Sequence, residues 1–239
     1  MLNPTPEPGR AWPLLSGDWQ AIGEDFVGTT RNADGMQCTL GRLAFNMYRP
    51  VDLPLLVEHT TNLVGSAAAP ASGSDAEEGG ESRKFPDYII TSRFSTREGG
   101  PGRTLSGRSV LYGSCVSDPD LPQRVLVWFS SGVLEPNDGQ DLAAWRDVIN
   151  VADRGGNGDG GLVRRLVGPF SRLGGKAVAL GMKLALGIKP PAAELGSKGE
   201  LSFEMTRSPK GLLDVLFLDE EMRITRGQKG SIVVATRRL

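Results

Sequence analysis

The sequence predicts a mainly β protein, a barrel or sandwich of short antiparallel strands. Residues 211–238 alternate three apolar runs with two polar turns, the pattern of an antiparallel meander. Six more strand-like runs lie between residues 20 and 130, set apart by Gly-, Pro- or Asp-rich turns. With 32 glycines and only 6% aromatics, much of the chain must be turn, loop or linker.

Pro4, Pro6, Pro8 and Pro13 make residues 3–13 an extended lead-in. The first strand is predicted at 20–27. It follows Gly17-Asp18-Trp19, the G-x-W that opens lipocalin-type barrels, in which the Trp plugs one end. After the Asp34-Gly35 turn, one strand is predicted over 36–47, interrupted at Gly41, and a third over 55–64, with Leu55, Val57, His59 and Thr61 on one face. Residues 65–84 are small and acidic with few apolar side chains; they read as a disordered insertion in a strand connection.

Strands are predicted again at 88–94, 107–117 and 123–130. In the last, Val125, Val127 and Phe129 share one face and Leu126 and Trp128 the other. Leu142, Trp145 and Ile149 recur at helical spacing over 141–151, with Asp138 or Asp141 as cap. In residues 162–189, Leu162, Leu166, Phe170, Leu173, Ala177, Leu180, Leu184 and Ile188 fall within about 80° on a helical wheel. Arg164, Arg165, Arg172, Lys176, Lys183 and Lys189 lie opposite, with no acidic residue. This is a basic amphipathic helical insertion, suited either to a membrane surface or to packing on the barrel; Arg165, Arg172, Lys176 and Lys183 are its membrane-contact candidates. A strand over 201–205 precedes the closing meander. There Leu213, Val215 and Phe217 are predicted to share a face, and Gly227 and Gly230 to supply positive φ in the second turn.

A net charge of −1 and a pI near 6.0 argue against a dedicated nucleic-acid binder. Cys38 and Cys115, in apolar runs, read as free and buried. No apolar run approaches the ~18 residues of a membrane-spanning helix. No signal pattern precedes MLNPTPEPGR, so a targeting peptide is expected to have been removed or to lie upstream. The one histidine, His59, has no second ligand nearby and makes no metal site or triad. No nucleophile elbow, phosphate loop, dinucleotide fingerprint, C-x-x-C or H-E-x-x-H is present, and the Asp/Gly-rich 153–161 lacks calcium-loop spacing. An enzymatic reading would need Asp219, Glu220, Arg223 and His59 to meet in one cavity. The expectation is a protein without catalytic residues, cofactor or metal, whose barrel holds an apolar ligand.

Several blocks carry a family resemblance: Leu2-Asn3-Pro4-Thr5-Pro6-Glu7-Pro8 with Leu15-Ser16-Gly17-Asp18-Trp19, then Leu40-Gly41-Arg42-Leu43-Ala44-Phe45-Asn46-Met47 with Arg49-Pro50. The third joins Leu213-Asp214-Val215 to Leu218-Asp219-Glu220-Glu221-Met222-Arg223-Ile224 and Arg226-Gly227-Gln228-Lys229-Gly230-Ser231-Ile232-Val233-Val234. In order and spacing they resemble the plastid-lipid-associated proteins, also called plastid fibrillins or plastoglobulins, over nearly the whole chain. Phe217 stands where that family usually has Tyr, and Val233 where it has Phe. The resemblance implies one domain over 1–239, a lipocalin-like antiparallel barrel, in a plastid or chloroplast of a photosynthetic eukaryote, at plastoglobules or thylakoid membranes. It implies binding or stabilising hydrophobic lipids such as prenylquinones, carotenoids or fatty-acyl lipids. The alternative is a scaffold or partner for a plastid isoprenoid or prenylquinone enzyme. Ligand-binding candidates are Trp19, Phe45, Val57, Ile90, Trp128 and Phe217. Motif residues expected to shape the barrel are Gly17, Trp19, Asp214, Asp219, Arg223, Arg226, Gly227 and Gly230, with carboxylates and arginines pairing across the hairpin.

Overall fold

The computed structural model describes residues 14–25, 29–43, 48–65, 87–96, 104–151, 188–189, 195–205 and 210–238. Fourteen strands run β1 Gly17–Asp25, β2 Thr30–Asn32, β3 Gly35–Thr39, β4 Tyr48–Arg49, β5 Pro54–Val64, β6 Tyr88–Thr96, β7 Leu105–Ser117, β8 Arg124–Pro136, β9 Asn150–Val151, β10 Ile188–Lys189, β11 Leu201–Met205, β12 Gly211–Leu218, β13 Met222–Gly227 and β14 Ile232–Arg237. Two short helices, α1 Leu40–Leu43 and α2 Leu142–Val148, complete the described elements.

Eight strands close into an antiparallel barrel in the order β1-β14-β13-β12-β8-β7-β6-β5, with β5 returning to β1. The lipocalin-like barrel expected from the sequence is therefore the architecture observed. The closing meander is β12-β13-β14. Its second turn is held by Gly230, at φ 83°, whose N–H donates to the Gly227 carbonyl at 2.8 Å. Gly227 instead ends β13, and a Cβ there would press on Ser231 Oγ at 2.8 Å; only Gly230 takes the positive φ expected of both.

The barrel changes partners on two of its strands. The Val64 half of β5 pairs with β1, from Gly17↔Val64 to Gln20↔Thr61. Its Pro54 half pairs with β3, from Met36↔Val57 to Thr39↔Pro54. On β8, Arg124–Val127 pair with β12 and Ser131–Leu134 with β11. One end is thus a regular closed ring. The other is splayed, widened by β3 and β11 and packed by α1 and α2.

Two hydrophobic clusters follow from this. Leu15, Trp19, Val64, Tyr88, Cys115, Val125, Val127, Val215, Leu218 and Ala235 fill the closed end. The splayed end is filled by Met36, Leu40, Tyr48, Leu55, Val57, Phe94, Leu134, Trp145, Ile149, Phe203 and their neighbours. Trp145 Nε1–H donates to the Gly199 carbonyl at 2.9 Å, and the Tyr48 hydroxyl to that of Leu201 at 2.8 Å, so both large rings bury without an orphaned donor.

Four bulges reset the inward phase. Ile22 is the extra residue on β1, Glu58 on β5, Ser130 on β8 and Leu216 on β12. Several differences from the sequence reading follow. Glu58 moves His59 off the Leu55–Val57 face, and His59 is exposed. Leu216 turns Phe217 outward opposite Ile224 and brings Leu218 in opposite Arg223. The predicted strand over 36–47 is β3 followed by α1, because Thr39 Oγ1 accepts the Arg42 N–H at 3.4 Å and starts a helical turn. The strand 123–130 continues to Pro136, and the helix spans Leu142–Val148 with Asp141 as its cap. Ile188 and Lys189, expected in the basic helix, form β10 against Met205 and Glu204. The rest of 162–189, with Arg165, Arg172, Lys176 and Lys183, lies outside the described residues, as do the lead-in, Phe45 and 66–86.

Candidate functional site inside the barrel

The closed end is built on Trp19. Its indole is fully buried, and its Nε1–H donates to the Leu15 carbonyl at 2.8 Å. Arg237, on β14, lies over the ring with its guanidinium carbon 4.3 Å from the centroid. Gly17 lets it approach: at φ 127°, a Cβ on Gly17 would run into Arg237 Nη1. Arg223, on β13, reaches the same ring from inside the barrel, 5.0 Å from its centroid.

Arg223 is 6% exposed. Its Nη2 donates to Asn62 Oδ1, while Asn62 Nδ2 donates to the Ile89 carbonyl at 3.0 Å. Its Nε is buried and has no hydrogen-bond partner among the described residues. Burial pulls its pKa down, and the nearby Arg237 pulls the same way. Tyr88, close by, is pushed up to about 12 by burial, so its hydroxyl is neutral at pH 7. A guanidinium remains charged in proteins. The closed end therefore holds a buried positive charge with no paired carboxylate among the described residues, an arrangement that favours an anion.

Away from the closed end the lining mixes apolar side chains with small polar ones, among them buried Ser92, Ser109 and Thr225. Ile90 shares the inward phase of β6 with buried Tyr88, Ser92 and Phe94, and Phe129 that of β8 with buried Val125 and Val127. Both pack against the two clusters at once, yet both are only partly buried. Tyr88 and Phe129 face each other with centroids 6.1 Å apart. On the wall where β1 leaves β5, the Glu24 side chain is 4% exposed, with Arg31 Nη1 at 3.7 Å. Its pKa is raised, chiefly by burial; a hydrogen bond from Thr60 and the charge of Arg31 oppose the shift.

Of the ligand candidates, Trp19 and Ile90 lie on this interior. Val57 is buried in the splayed-end cluster. Trp128 stands on the outer phase of β8, between inward Val127 and Phe129, and Phe217 faces outward beyond its bulge. Among the motif residues, Arg223 does not pair across the hairpin; it enters the barrel. Asp214 pairs with Arg124 of β8 at 2.7 Å, although exposed Arg226 is its register partner. Asp219 caps its own turn, its Oδ1 accepting from Glu221 N at 2.9 Å and Met222 N at 2.7 Å. Asp219, Glu220, Arg223 and His59 do not converge: the first two are in a surface turn, His59 is exposed and Arg223 is inside. Among the described residues no cluster of His, Cys, Asp or Glu could hold a metal, and no helix is long and apolar enough to cross a membrane.

The sequence reading missed Asn62, Tyr88, Phe129, Arg237 and Glu24. Asn62 is in phase with buried Val64, a signal that strict alternation from Leu55 obscures once Glu58 shifts the register. No family model, curated protein or solved structure matches the chain.

Proposed function

We propose that this chain is a non-enzymatic lipid-binding protein that holds one hydrophobic lipid inside its barrel. In this reading it works at a plastid membrane or plastoglobule surface, as the proteins its sequence resembles do. One observation carries the interior site. Ile90 and Phe129 face inward, touch both core clusters, and are still only partly buried. A barrel packed through its middle would bury such residues fully. A mid-section bounded by two packed ends suits an apolar guest, which would enter by an opening of the splayed end, where β5 and β8 change partners.

Native mass spectrometry of the purified chain, with extraction and identification of bound lipid, tests this. The expected result is one lipid per chain, released on unfolding. A chain that carries no lipid, and takes none from plastid lipid extract, sinks the proposal.

A further inference from the structure

The polar end of this interior has a feature that a site for wholly apolar guests does not need. Arg223 is charged, buried, and offers a donor with no acceptor among the described residues. Among the described residues nothing neutralises it. Asn62 Oδ1 is a neutral acceptor, and Tyr88 and Cys115 are neutral in their ordinary forms. Arg237 adds a second positive charge, and its three nitrogens are spent on the carbonyls of Glu220, Ser16 and Leu14. Arg237 is thus fixed as part of the closed end, whereas Arg223 Nε is uncommitted.

We infer that Arg223 receives the carboxylate of a single-chain apolar acid, with Nε as donor and the tail lying along Ile90 and Phe129 toward the splayed end. This rests on the interior lipid site proposed above and names the class of its guest. A carboxylate is favoured over neutral lipids because it supplies the acceptor and the charge that Arg223 lacks, and hydrogen bonds between ionised partners in a dry site are strong. A single guanidinium with open donors suits a singly charged head better than a phosphate, which brings more charge and more acceptors. The lining brings head and tail contacts together: Asn62, which holds Arg223, is the register partner of Ile90, and Phe129 faces Tyr88 with centroids 6.1 Å apart.

The test is a binding titration of the delipidated full chain at pH 7.5 with oleic acid, methyl oleate and oleyl phosphate. Oleic acid is expected to bind at least tenfold tighter than methyl oleate. In Arg223→Gln that ratio should fall to near one while methyl oleate affinity changes less than threefold. Because a buried variant can fail to fold, a second measurement uses the unaltered chain. Bound [1-13C]oleic acid, followed by NMR through a pH titration, is expected to stay ionised to lower pH than the same acid in detergent. Equal binding of acid and ester to the unaltered chain overturns the carboxylate assignment and leaves the interior site standing. Tighter, Arg223-dependent binding of oleyl phosphate also overturns it, in favour of a phosphate head. If none of the three binds, the interior site itself fails.

Discussion

The Arg237 guanidinium lies 4.3 Å from the centre of the Trp19 ring, joining the last barrel strand to the first. Its Nε donates to the Glu220 carbonyl at 2.6 Å, Nη1 to that of Ser16 at 2.7 Å and Nη2 to that of Leu14. One side chain thus gathers the chain before β1, the turn after β12 and the barrel plug. Replacing it by Ala strands two part-buried carbonyls and removes a cation over an indole. Arg237→Ala is expected to cost about 2–4 kcal/mol in urea unfolding. Arg237→Lys should recover less than half, because one ammonium cannot span three divergent acceptors.

Gly107 is a packing requirement of the splayed end. A Cβ there would meet the Glu135 carbonyl oxygen and the Trp145 ring, each at 2.6 Å. Gly107→Ala must push α2 outward, and about 1–3 kcal/mol of destabilisation is expected. Near-ultraviolet circular dichroism reports the Trp145 environment and should change with it.

Asp141 caps α2, its Oδ1 accepting from Ala143 N at 3.0 Å and Ala144 N at 3.1 Å. Asp141→Ala is expected to lose about 1 kcal/mol, measured by thermal or urea unfolding. Asp141→Asn should lose less, since its amide oxygen can still accept.

Glu24 sets a pH dependence. Burial raises its folded-state pKa above the ordinary 4.5. Below 4.5 the group is protonated folded or unfolded, and its contribution is fully present. As pH rises through the raised folded value, the folded chain must ionise a buried carboxyl, and that stability is lost. Glu24→Gln keeps the acceptor facing Thr60 but cannot ionise. It should be more stable than the unaltered chain at pH 7.5, with the difference shrinking toward pH 4. A difference that grows on acidification would show that the ion pair with Arg31 outweighs burial.

Much of this barrel is legible in the sequence because its strands alternate between their bulges and are separated by glycine, proline and aspartate turns. G-x-W at Gly17–Trp19 and the meander after Gly211 mark the two strands that seal it. What escapes is phase. Each single-residue bulge reverses inside and outside for the rest of its strand. A face read from Leu213 and Val215 therefore runs on to Phe217, when Leu218 is the residue that enters. The same effect hides Asn62, in phase with Val64 but out of phase with Leu55. Arg223 looks like a surface hairpin charge among Asp219, Glu220 and Glu221, yet its register opposite Leu218 and Ala235 carries it into the core. Such a placement depends on strand pairing from distant parts of the chain, which local pattern does not encode.

The central claim is that the middle of the barrel is a lipid site, and filling it is the most direct test. Ile90→Trp adds an indole at the inward position that touches both core clusters. Lipid binding to the full chain is measured by titration, and the fold is checked by far-ultraviolet circular dichroism. The account predicts an unchanged strand spectrum and at least tenfold weaker binding. A folded Ile90→Trp chain that binds one lipid with undiminished affinity would contradict it and place the guest elsewhere on the protein.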